Sequence, residues 1–476
     1  MLLLSHFVVF GQEAYLVHQV EKPAEPSGGI AYLNQFVASN IQMPFRSSLK
    51  GINGKVFVRG IVEPDGSMSK LEVSRGLDTL CNAEAIRLMS LYKAWKPAIL
   101  KGEKVRQTVM YPVTFRSPAP ANFDTTLFAF VQHFDEKFFP TTDSRKYEYR
   151  SVVPVDSNGY VKADVVYEQI KGSKWKPVVT IPFTRKSIWI RMDQVEGKKD
   201  SIQAFALSAR DENEVSHCPE VAFQENGKLL KYTEYSLRSN PTLLKEFDLK
   251  GALRKMIVYS DSSESEIQWY GNGQIRTIIE RPVMKIDGTG EPLLLGAWDQ
   301  TGEQSVKEGN GRWQSVSATN DGKSLLEEGN VLAGQKDGTW EGKWADGVVH
   351  YRELYDHGVF KEGLSIDNGV ETVYKEPIIQ PKFKGGVKEL YKFLGQNIMY
   401  PPEAARKGIQ GRVFLSFVVC EDGSLCDYKV EKSAGFGLDN EAMRVVKKMD
   451  GKWEPGKLRG KNVRVKYNLP INFQRQ

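Results

Sequence analysis

Apolar residues near the C-terminal end of the chain follow first a helical and then a strand period. Between residues 387 and 397 they recur at helical spacing, which predicts an amphipathic helix. Residues 413–419 alternate as in a half-buried strand, and Asp422-Gly423 follows as a hairpin turn signal. A return strand over 426–430, a second amphipathic helix over 438–449 and a last strand over 463–473 complete the series. This order predicts an α+β unit in which two helices cover one face of a three-stranded antiparallel sheet.

The same block occurs near the other end of the chain, which indicates a folding unit used twice. Matching positions are separated by 357 residues, and by 358 after a one-residue insertion. The clearest pairs are Gly28 with Gly385, Gly51 with Gly408, Asp65-Gly66 with Asp422-Gly423, Trp95 with Trp453 and Phe115 with Phe473. We therefore expect residues 26–117, here called copy one, and residues 382–474, copy two, to share one fold.

Prolines in the two last strands indicate where each strand lies in its sheet. Pro112 in copy one and Pro470 in copy two occupy equivalent positions. A proline nitrogen cannot donate to a neighbouring strand, so both last strands are predicted to lie at a sheet edge. An open edge offers unpaired N–H and C=O groups to a partner peptide. The alternative is that the middle of the chain covers this edge.

Copy two resembles the C-terminal domain of the TonB family, in the form common in Bacteroidetes energy transducers. The resemblance rests on Gly385-Gly386, Tyr400-Pro401, Ala404, Gly408-Ile409-Gln410-Gly411, Val413, Phe417, Asp422-Gly423, Val430, Glu441-Ala442, Trp453-Glu454-Pro455-Gly456 and Val465. Copy one departs from this pattern, with Met43-Pro44 for the Tyr-Pro pair and Lys96-Pro97-Ala98 for Glu-Pro-Gly. We expect it to fold alike.

The resemblance implies a binding role for the last strand. In the TonB family this edge binds the TonB box of outer-membrane receptors by strand addition. Carried over to this chain, the partner-binding residues are Val463, Arg464, Val465, Lys466, Tyr467 and Asn468. Arg464 and Lys466 would steer an acidic peptide, while the backbone supplies most of the affinity. The implied partners are TonB-dependent receptors or other envelope proteins, together with the inner-membrane proton-motor complex.

Residues 122–375, between short proline-bearing connections, are predicted to be rich in β-strand. From 223 to 363, Asn-Gly, Asp-Gly and Thr-Gly turns separate short strands rich in Trp, Tyr and Val, so helix should be nearly absent. The segment resembles MORN-type repeats in their YwqK-like form, which usually serve as interaction surfaces. Residues 122–200 are predicted to add further strands of unassigned type.

The N-terminal residues and the composition bear on location. The apolar run at residues 2–10 is about half as long as a membrane-spanning helix. We interpret residues 1–12 as the end of a secretory signal peptide, with a buried first strand as the alternative. A true start upstream could add an inner-membrane anchor. The net charge of +6 is too modest to imply nucleic-acid binding.

The chain offers few residues with a pattern typical of catalysis or metal binding. None of the six histidines falls in a metal motif, and His217-Cys218 is the one adjacent pair of catalytic residue types. Side chains of neighbouring strand residues point opposite ways, which places this pair poorly for catalysis. If Asp422-Gly423 is a two-residue hairpin, Cys420 and Cys426 lie on opposite faces of the sheet. We predict no catalytic residue, metal site or cofactor, and expect no small-molecule ligand.

Two functions remain open at this point. The first is a non-enzymatic periplasmic protein of the cell envelope that binds peptides by strand addition. Resemblance to TonB would link it to energy transduction and transmembrane transport at the outer membrane. The alternative is a periplasmic scaffold or adaptor on peptidoglycan or protein, without energy coupling. No transmembrane anchor or long proline-rich spacer is visible, and an anchor encoded upstream would favour the energy transducer.

Overall fold

The computed structural model describes residues 14–116, 120–193, 199–236, 240–284, 288–289, 291–318 and 323–474. The run at 1–12 that we interpret as the end of a signal peptide lies outside these residues. Strands make up 52% of the chain and helices 15%, so the β-rich character agrees with the prediction. The chain forms two compact units. The first holds most residues up to Trp313, including copy one, and the second holds most residues from Lys336 on, including copy two.

Within the described ranges, helices occur only in the two copies, apart from short 3-10 turns at Val17–Gln19 and Ser144–Lys146. Across the residues described, the α-helices are Ile30–Asn40, Phe45–Leu49 and Thr79–Leu91 in copy one, and Gly386–Asn397, Pro402–Lys407 and Leu438–Lys447 in copy two. The two predicted helices of copy two are therefore present. The short second helix of each copy was not predicted. In copy two, Pro402 at its first turn and a left-handed Gly408 after its last turn were the available signals.

Each copy contains a three-stranded antiparallel sheet with the same strand order. The first strand lies in the centre, between its hairpin partner and the last strand. These strands are Gly54–Val62, Met68–Arg75 and Gln107–Phe115 in copy one, and Gly411–Val419, Leu425–Lys432 and Val465–Phe473 in copy two. Smaller strands accompany them at Glu25–Pro26, Trp95–Lys96, Ala98–Leu100, Glu103–Val105, Ile378–Ile379, Lys382–Phe383, Trp453–Glu454, Gly456–Leu458 and Lys461–Val463. The expectation of a shared strand order is confirmed.

The core of copy two lies between its helices and one face of its sheet. Alternate strand residues, including Phe417 and Ile471, meet apolar helix residues such as Leu390 and Val445 there. Trp453 is 1% exposed and packs against Phe417 with ring centroids 5.4 Å apart. The apolar residues that recur every 3.6 positions in the helices and every second position in the strands therefore form one common core.

The remainder of the first unit is built from antiparallel strands that pair largely in chain order. Five form one sheet, at Phe123–Asp124, Ala129–Phe134, Tyr149–Pro154, Val165–Lys171 and Lys174–Ile181. A second, larger sheet continues the chain. Its strands in this part of the chain are Phe183–Asp193, Lys199–Ala209, Glu220–Phe223, Leu229–Tyr235, Pro241–Phe247, Leu253–Tyr259, Ser263–Trp269, Ile275–Met284, Gly288–Thr289, Leu293–Trp298, Gln304–Lys307 and Asn310–Ala318.

Further strands follow at Ser324–Leu332, Gln335–Trp344, Val349–Asp356, Val359–Asp367 and Val370–Tyr374. The last four pair in succession. No described residue between 223 and 363 is helical, as predicted.

One turn geometry recurs along these strands, and we use the name repeat turns for five instances with glycine at the fourth position. They span residues 224–228, 248–252, 270–274, 299–303 and 344–348. In each, the first residue donates its N–H to the fifth residue's carbonyl, and the fourth residue donates back to the first. The fourth residue is always glycine with positive φ, from +81° at Gly227 to +90° at Gly273. A side chain is disfavoured in that conformation, so glycine is favoured there. Phe138 and Glu214 nevertheless take the same position, with positive φ, in turns 135–139 and 211–215.

Copy one packs its helices directly on repeat turns of the same unit. Arg87 Nη1 donates to the carbonyl of Gly251 over 3.1 Å, and Asn40 Oδ1 accepts from the Leu253 N–H over 2.7 Å. The rings of Phe36 and Tyr92 lie against Gly273. One buried cluster of apolar side chains therefore continues from copy one into the strands that flank these repeat turns, here called the repeat strands.

Replacing Asn40 with Ala should lower the free energy of unfolding of the first unit by about 1–3 kcal/mol, because the buried Leu253 N–H loses its acceptor. Asn40 is 1% exposed, so water cannot readily replace the amide. Asn397→Ala is the matched control, since Asn397 is equivalent but accepts from no backbone N–H among the residues described. Urea titration of dilute protein measures both, and equal losses would contradict the assignment.

Candidate partner-binding edge

The last strand of copy two, Val465–Phe473, lies at a sheet edge as the proline pattern predicts. One side pairs with the central strand from Val419↔Val465 to Gly411↔Phe473. On its other side, no described residue forms a backbone hydrogen bond with it. The predicted continuous strand over 463–473 is wrong at its start. Val463 belongs to the short hairpin strand Lys461–Val463, and Arg464 lies between the two strands.

The break arises because the chain changes sheets at Arg464. Lys461–Val463 pairs with Gly456–Leu458, which pairs in turn with Ile378–Ile379. The hairpin ladder ends at Val463 and the ladder with the central strand begins at Val465, so Arg464 pairs in neither. Hydrophobic alternation continues through Val463 and Val465, so it carries no mark of this exchange.

Backbone directions along the edge follow from copy one. There, Thr108 donates its N–H to the Tyr15 carbonyl and the Arg106 carbonyl accepts from the Tyr15 N–H, both over 2.9 Å. The N–H of Thr108 therefore points away from the central strand. Because these directions alternate along a strand, the nitrogens of Met110 and Pro112 point the same way. Pro112 costs no ladder bond for this reason.

The equivalent positions in copy two define a short usable edge. Lys466 corresponds to Thr108, Asn468 to Met110 and Pro470 to Pro112. The N–H groups of Lys466 and Asn468 thus point outward, and Pro470 supplies no donor. We call residues 464–468 the open edge, because an added strand finds both donors and acceptors only there.

Copy one has no such free edge, because the chain's own N-terminal segment occupies it. Tyr15 forms a parallel bridge with Gln107, and the Ala24 N–H donates to the Gln107 side chain over 2.7 Å. Gln107 is consequently 3% exposed. In copy two the preceding segment is already used as strand Val370–Tyr374, and Val465 is only half-buried.

Family comparison agrees with this division of the chain. Residues 39–117 and 396–474 match the family described as Gram-negative bacterial TonB protein C-terminal. Both copies are TonB-like. No curated protein matches the chain. The resemblance of both copies to the TonB C-terminal domain is therefore confirmed over these two segments. Within the part of the chain that the structure describes, no helix is both long and apolar enough to cross a membrane.

Cations on the open edge of the second TonB-like copy already have partners. Arg464 lies 2.7 Å from the Asp427 carboxylate, and Lys466 lies 2.7 Å from that of Glu431. Hydrogen bonds from Lys429 and from Lys466 lower the pKa of Glu431 to about 2, so it is ionised at neutral pH. Because both cations remain more than half exposed, these pairs are weak and an acidic ligand could compete for them.

Side chains of Tyr467 and Asn468 point to different faces. Tyr467 packs inward, with its ring centroid 4.7 Å from that of Trp453. Asn468 is exposed. Alternation is therefore as predicted from Val465 onward, and the open edge presents one apolar and one polar face to an added strand.

The prediction that Cys420 and Cys426 lie on opposite faces is wrong. The turn closes with a Cys420 N–H to Ser424 carbonyl bond of 2.8 Å, and Val418 pairs with Cys426. Cys420, two residues beyond Val418, thus shares the face of Cys426. A hydrogen bond from the Cys426 thiol to Cys420, together with burial, raises the pKa of Cys426 to about 11. Its thiol is therefore protonated at neutral pH, which makes it a poor nucleophile.

His217 and Cys218 have separate surroundings. The His217 ring contacts the Tyr167 hydroxyl at 2.9 Å and the Asp211 carboxylate at 3.2 Å. Cys218 is 6% exposed, and burial raises the pKa of its thiol to about 11. A catalytic thiol requires the opposite shift.

Arg459 anchors the hairpin that precedes the open edge, a role that the sequence analysis missed. Its Nε donates to the Glu353 carboxylate over 2.9 Å, and its guanidinium lies 3.4 Å from the centroid of the Tyr351 ring. Glu353 has a side chain 1% exposed and also accepts from the hydroxyls of Tyr355 and Tyr374. This network fixes the hairpin to strands 349–374 within the second unit.

Replacing Arg459 with Met should lower the free energy of unfolding of the second unit by about 3 kcal/mol or more, because it leaves the Glu353 charge buried without its cation. Chemical denaturation followed by tryptophan fluorescence measures the change. Lys101→Met is the matched control, because Lys101 is the equivalent residue and is exposed. Adding Glu353→Gln to the Arg459 variant should restore part of the loss. A further loss instead would show that the charge is not the cause.

Proposed function

We propose that this protein binds partner peptides of the cell envelope by β-strand addition along the open edge at 464–468. One observation carries the proposal. The equivalent edge of copy one already holds an extended segment of the chain, in which Tyr15 exchanges two 2.9 Å backbone hydrogen bonds with Arg106 and Thr108. The duplicated fold therefore accepts a strand at this position, and copy two offers the same groups without an occupant among the described residues.

Likeness to TonB suggests the class of partner. TonB-like domains engage TonB-dependent receptors of the outer membrane, so the occupant proposed here is an extended receptor segment presented in the periplasm. A link to energy transduction and transmembrane transport, a motor complex at the inner membrane and a Bacteroidetes-type transducer follow from the same likeness and are part of the proposal. A scaffold without energy coupling would use the same edge, and no described feature favours it.

The domain arrangement proposed is two TonB C-terminal-like domains, at 26–117 and 382–474, around a β-rich region at 122–375. The repeat turns with their left-handed glycines support MORN- or YwqK-like repeats at 223–363. Because copy one shares a core with the repeat strands, we assign it a mounting role and leave peptide binding to copy two.

Replacing Asn468 with Pro should weaken peptide binding about tenfold or more, because it removes an outward N–H and crowds the incoming strand. The strand itself should stay folded, since Pro470 is tolerated in the same orientation. Isothermal titration with synthetic peptides from the plug segments of the same organism's receptors measures the effect. Met110→Pro, at the equivalent position of copy one, should leave affinity unchanged. Equal binding by the Asn468 variant would show that the site lies elsewhere.

Replacing Lys466 with Glu should slow association with an acidic peptide and reduce its dependence on salt, because it places a second carboxylate beside Glu431. Stopped-flow association at several salt concentrations measures both effects. Lys429→Glu is the control, since it makes the same charge change beside Glu431. Lys429 lies on the far strand, so its distance from the open edge is about the screening length in physiological salt. Identical rates for both variants would leave the edge without a steering role.

A further inference from the structure

The two copies share a polar network that links their first and third helices. In copy one, Arg87 binds Glu84 through two hydrogen bonds of 2.6 and 2.7 Å and donates to the Asn40 carbonyl over 2.9 Å. In copy two, Arg444 binds Glu441 over 2.8 and 2.7 Å and donates to the Asn397 carbonyl over 2.6 Å. The network is therefore duplicated together with the fold.

Further bonds of the network match as well. The glutamate accepts from the N–H of Gln42 in copy one and of Met399 in copy two, over 2.7 and 2.6 Å. Each asparagine donates through Nδ2 to the carbonyl four residues earlier, over 2.9 Å in both copies. In each copy, two groups of the network face outward after these bonds are made: one arginine Nη1 and one asparagine Oδ1.

In copy one these two groups hold the repeat turn at 248–252. Arg87 Nη1 donates to the Gly251 carbonyl, and Asn40 Oδ1 accepts from the Leu253 N–H. The ring of Phe36 is fully buried beside them. Asparagine and arginine thus recognise the glycine carbonyl of a repeat turn and the N–H two residues later.

In copy two the same groups are unoccupied. Across the residues described, neither Arg444 Nη1 nor Asn397 Oδ1 has a hydrogen-bond partner. Phe393, equivalent to Phe36, is half-buried, and Met399 beside it is 63% exposed. We call Phe393, Asn397, Met399 and Arg444 the docking face.

The chain itself carries an exposed turn of matching geometry. In the turn at 344–348, Trp344 donates to the Val348 carbonyl and Gly347 donates back to Trp344, as Asp248 and Gly251 do in the docked turn. Strand register also agrees, since Lys343 pairs with Val349 as Phe247 pairs with Leu253. Residues 345–348 are exposed, and Val348 is 57% exposed.

We infer that the 344–348 turn of one molecule binds the docking face of a second copy of this chain. Arg444 Nη1 would donate to the Gly347 carbonyl, and Asn397 Oδ1 would accept from the Val349 N–H. Because the two surfaces differ, the contact is head-to-tail. The molecule that contributes its turn keeps an unused face, and its partner keeps an unused turn. A single turn buries little area, so the association should be weak and dependent on concentration.

Sedimentation velocity of the full chain over a range of concentrations tests this inference. The wild type should show an average sedimentation coefficient that rises with concentration. Asn397→Ala and Val348→Asp should each weaken the association about tenfold or more, because each removes one side of the contact. Circular dichroism confirms that both variants are folded.

Mixing the two variants gives the decisive measurement. The Asn397 variant keeps its turn and the Val348 variant keeps its face, so an equimolar mixture should regain one contact and form dimers that do not extend. Asn468→Pro, which closes the open edge, should leave self-association unchanged. A wild type that stays monomeric, association insensitive to either variant, or a mixture that fails to associate would overturn the inference. Loss of association in the Asn468 variant would also overturn it, by assigning the contact to edge pairing.

Discussion

Backbone hydrogen bonding at the free side of each last strand accounts for much of the difference between the two copies. Peptide groups at a sheet edge need a partner, either water, another chain or the same chain. Copy one satisfies this need internally through Tyr15, whereas the chain entering copy two is already committed to strand Val370–Tyr374. The same fold is therefore closed in one place and open in the other.

Duplication also separates what the fold requires from what each copy does with it. The glutamate–arginine pair and the asparagine helix cap are present in both copies, so they belong to the architecture. The burial around them differs because copy one packs against repeat turns of its own unit, whereas the core described for copy two contains no repeat turn. Copy one therefore shows how the surface around this polar network looks when a repeat turn is bound to it, and copy two can be compared with it directly.

Much of the fold could be predicted from the sequence because periodicity and turn chemistry are local. The helices of copy two, the central hairpin and the absence of helix from 223–363 follow from spacing and from glycine positions. The edge position of the last strand followed from Pro470 alone. The break at Arg464 could not be predicted, since residues on both sides of it continue one alternating pattern.

Other features depended on register or on distant pairing. Cys420 and Cys426 share a face because the turn is longer than two residues, so that Val418 rather than Val419 pairs with Cys426. The bridge between Tyr15 and Gln107 joins residues about ninety positions apart, and no sequence signal distinguishes Tyr15 from an ordinary extended segment. The partners of Arg464 and Lys466 lie on the far strand of the sheet, so their charges alone suggested a freer surface than exists.

The Arg459–Glu353 pair has a mechanical consequence. A strand added along 464–468 runs beside the strand axis, so tension on it would act on several hydrogen bonds together, in shear. That tension would reach the start of the strand first, where the hairpin at 456–463 begins its own ladder. Arg459 fixes this hairpin to the buried Glu353 carboxylate on strand Val349–Asp356. The force would therefore be carried by the strands at 349–374, and less of it would act on the three-stranded sheet of copy two.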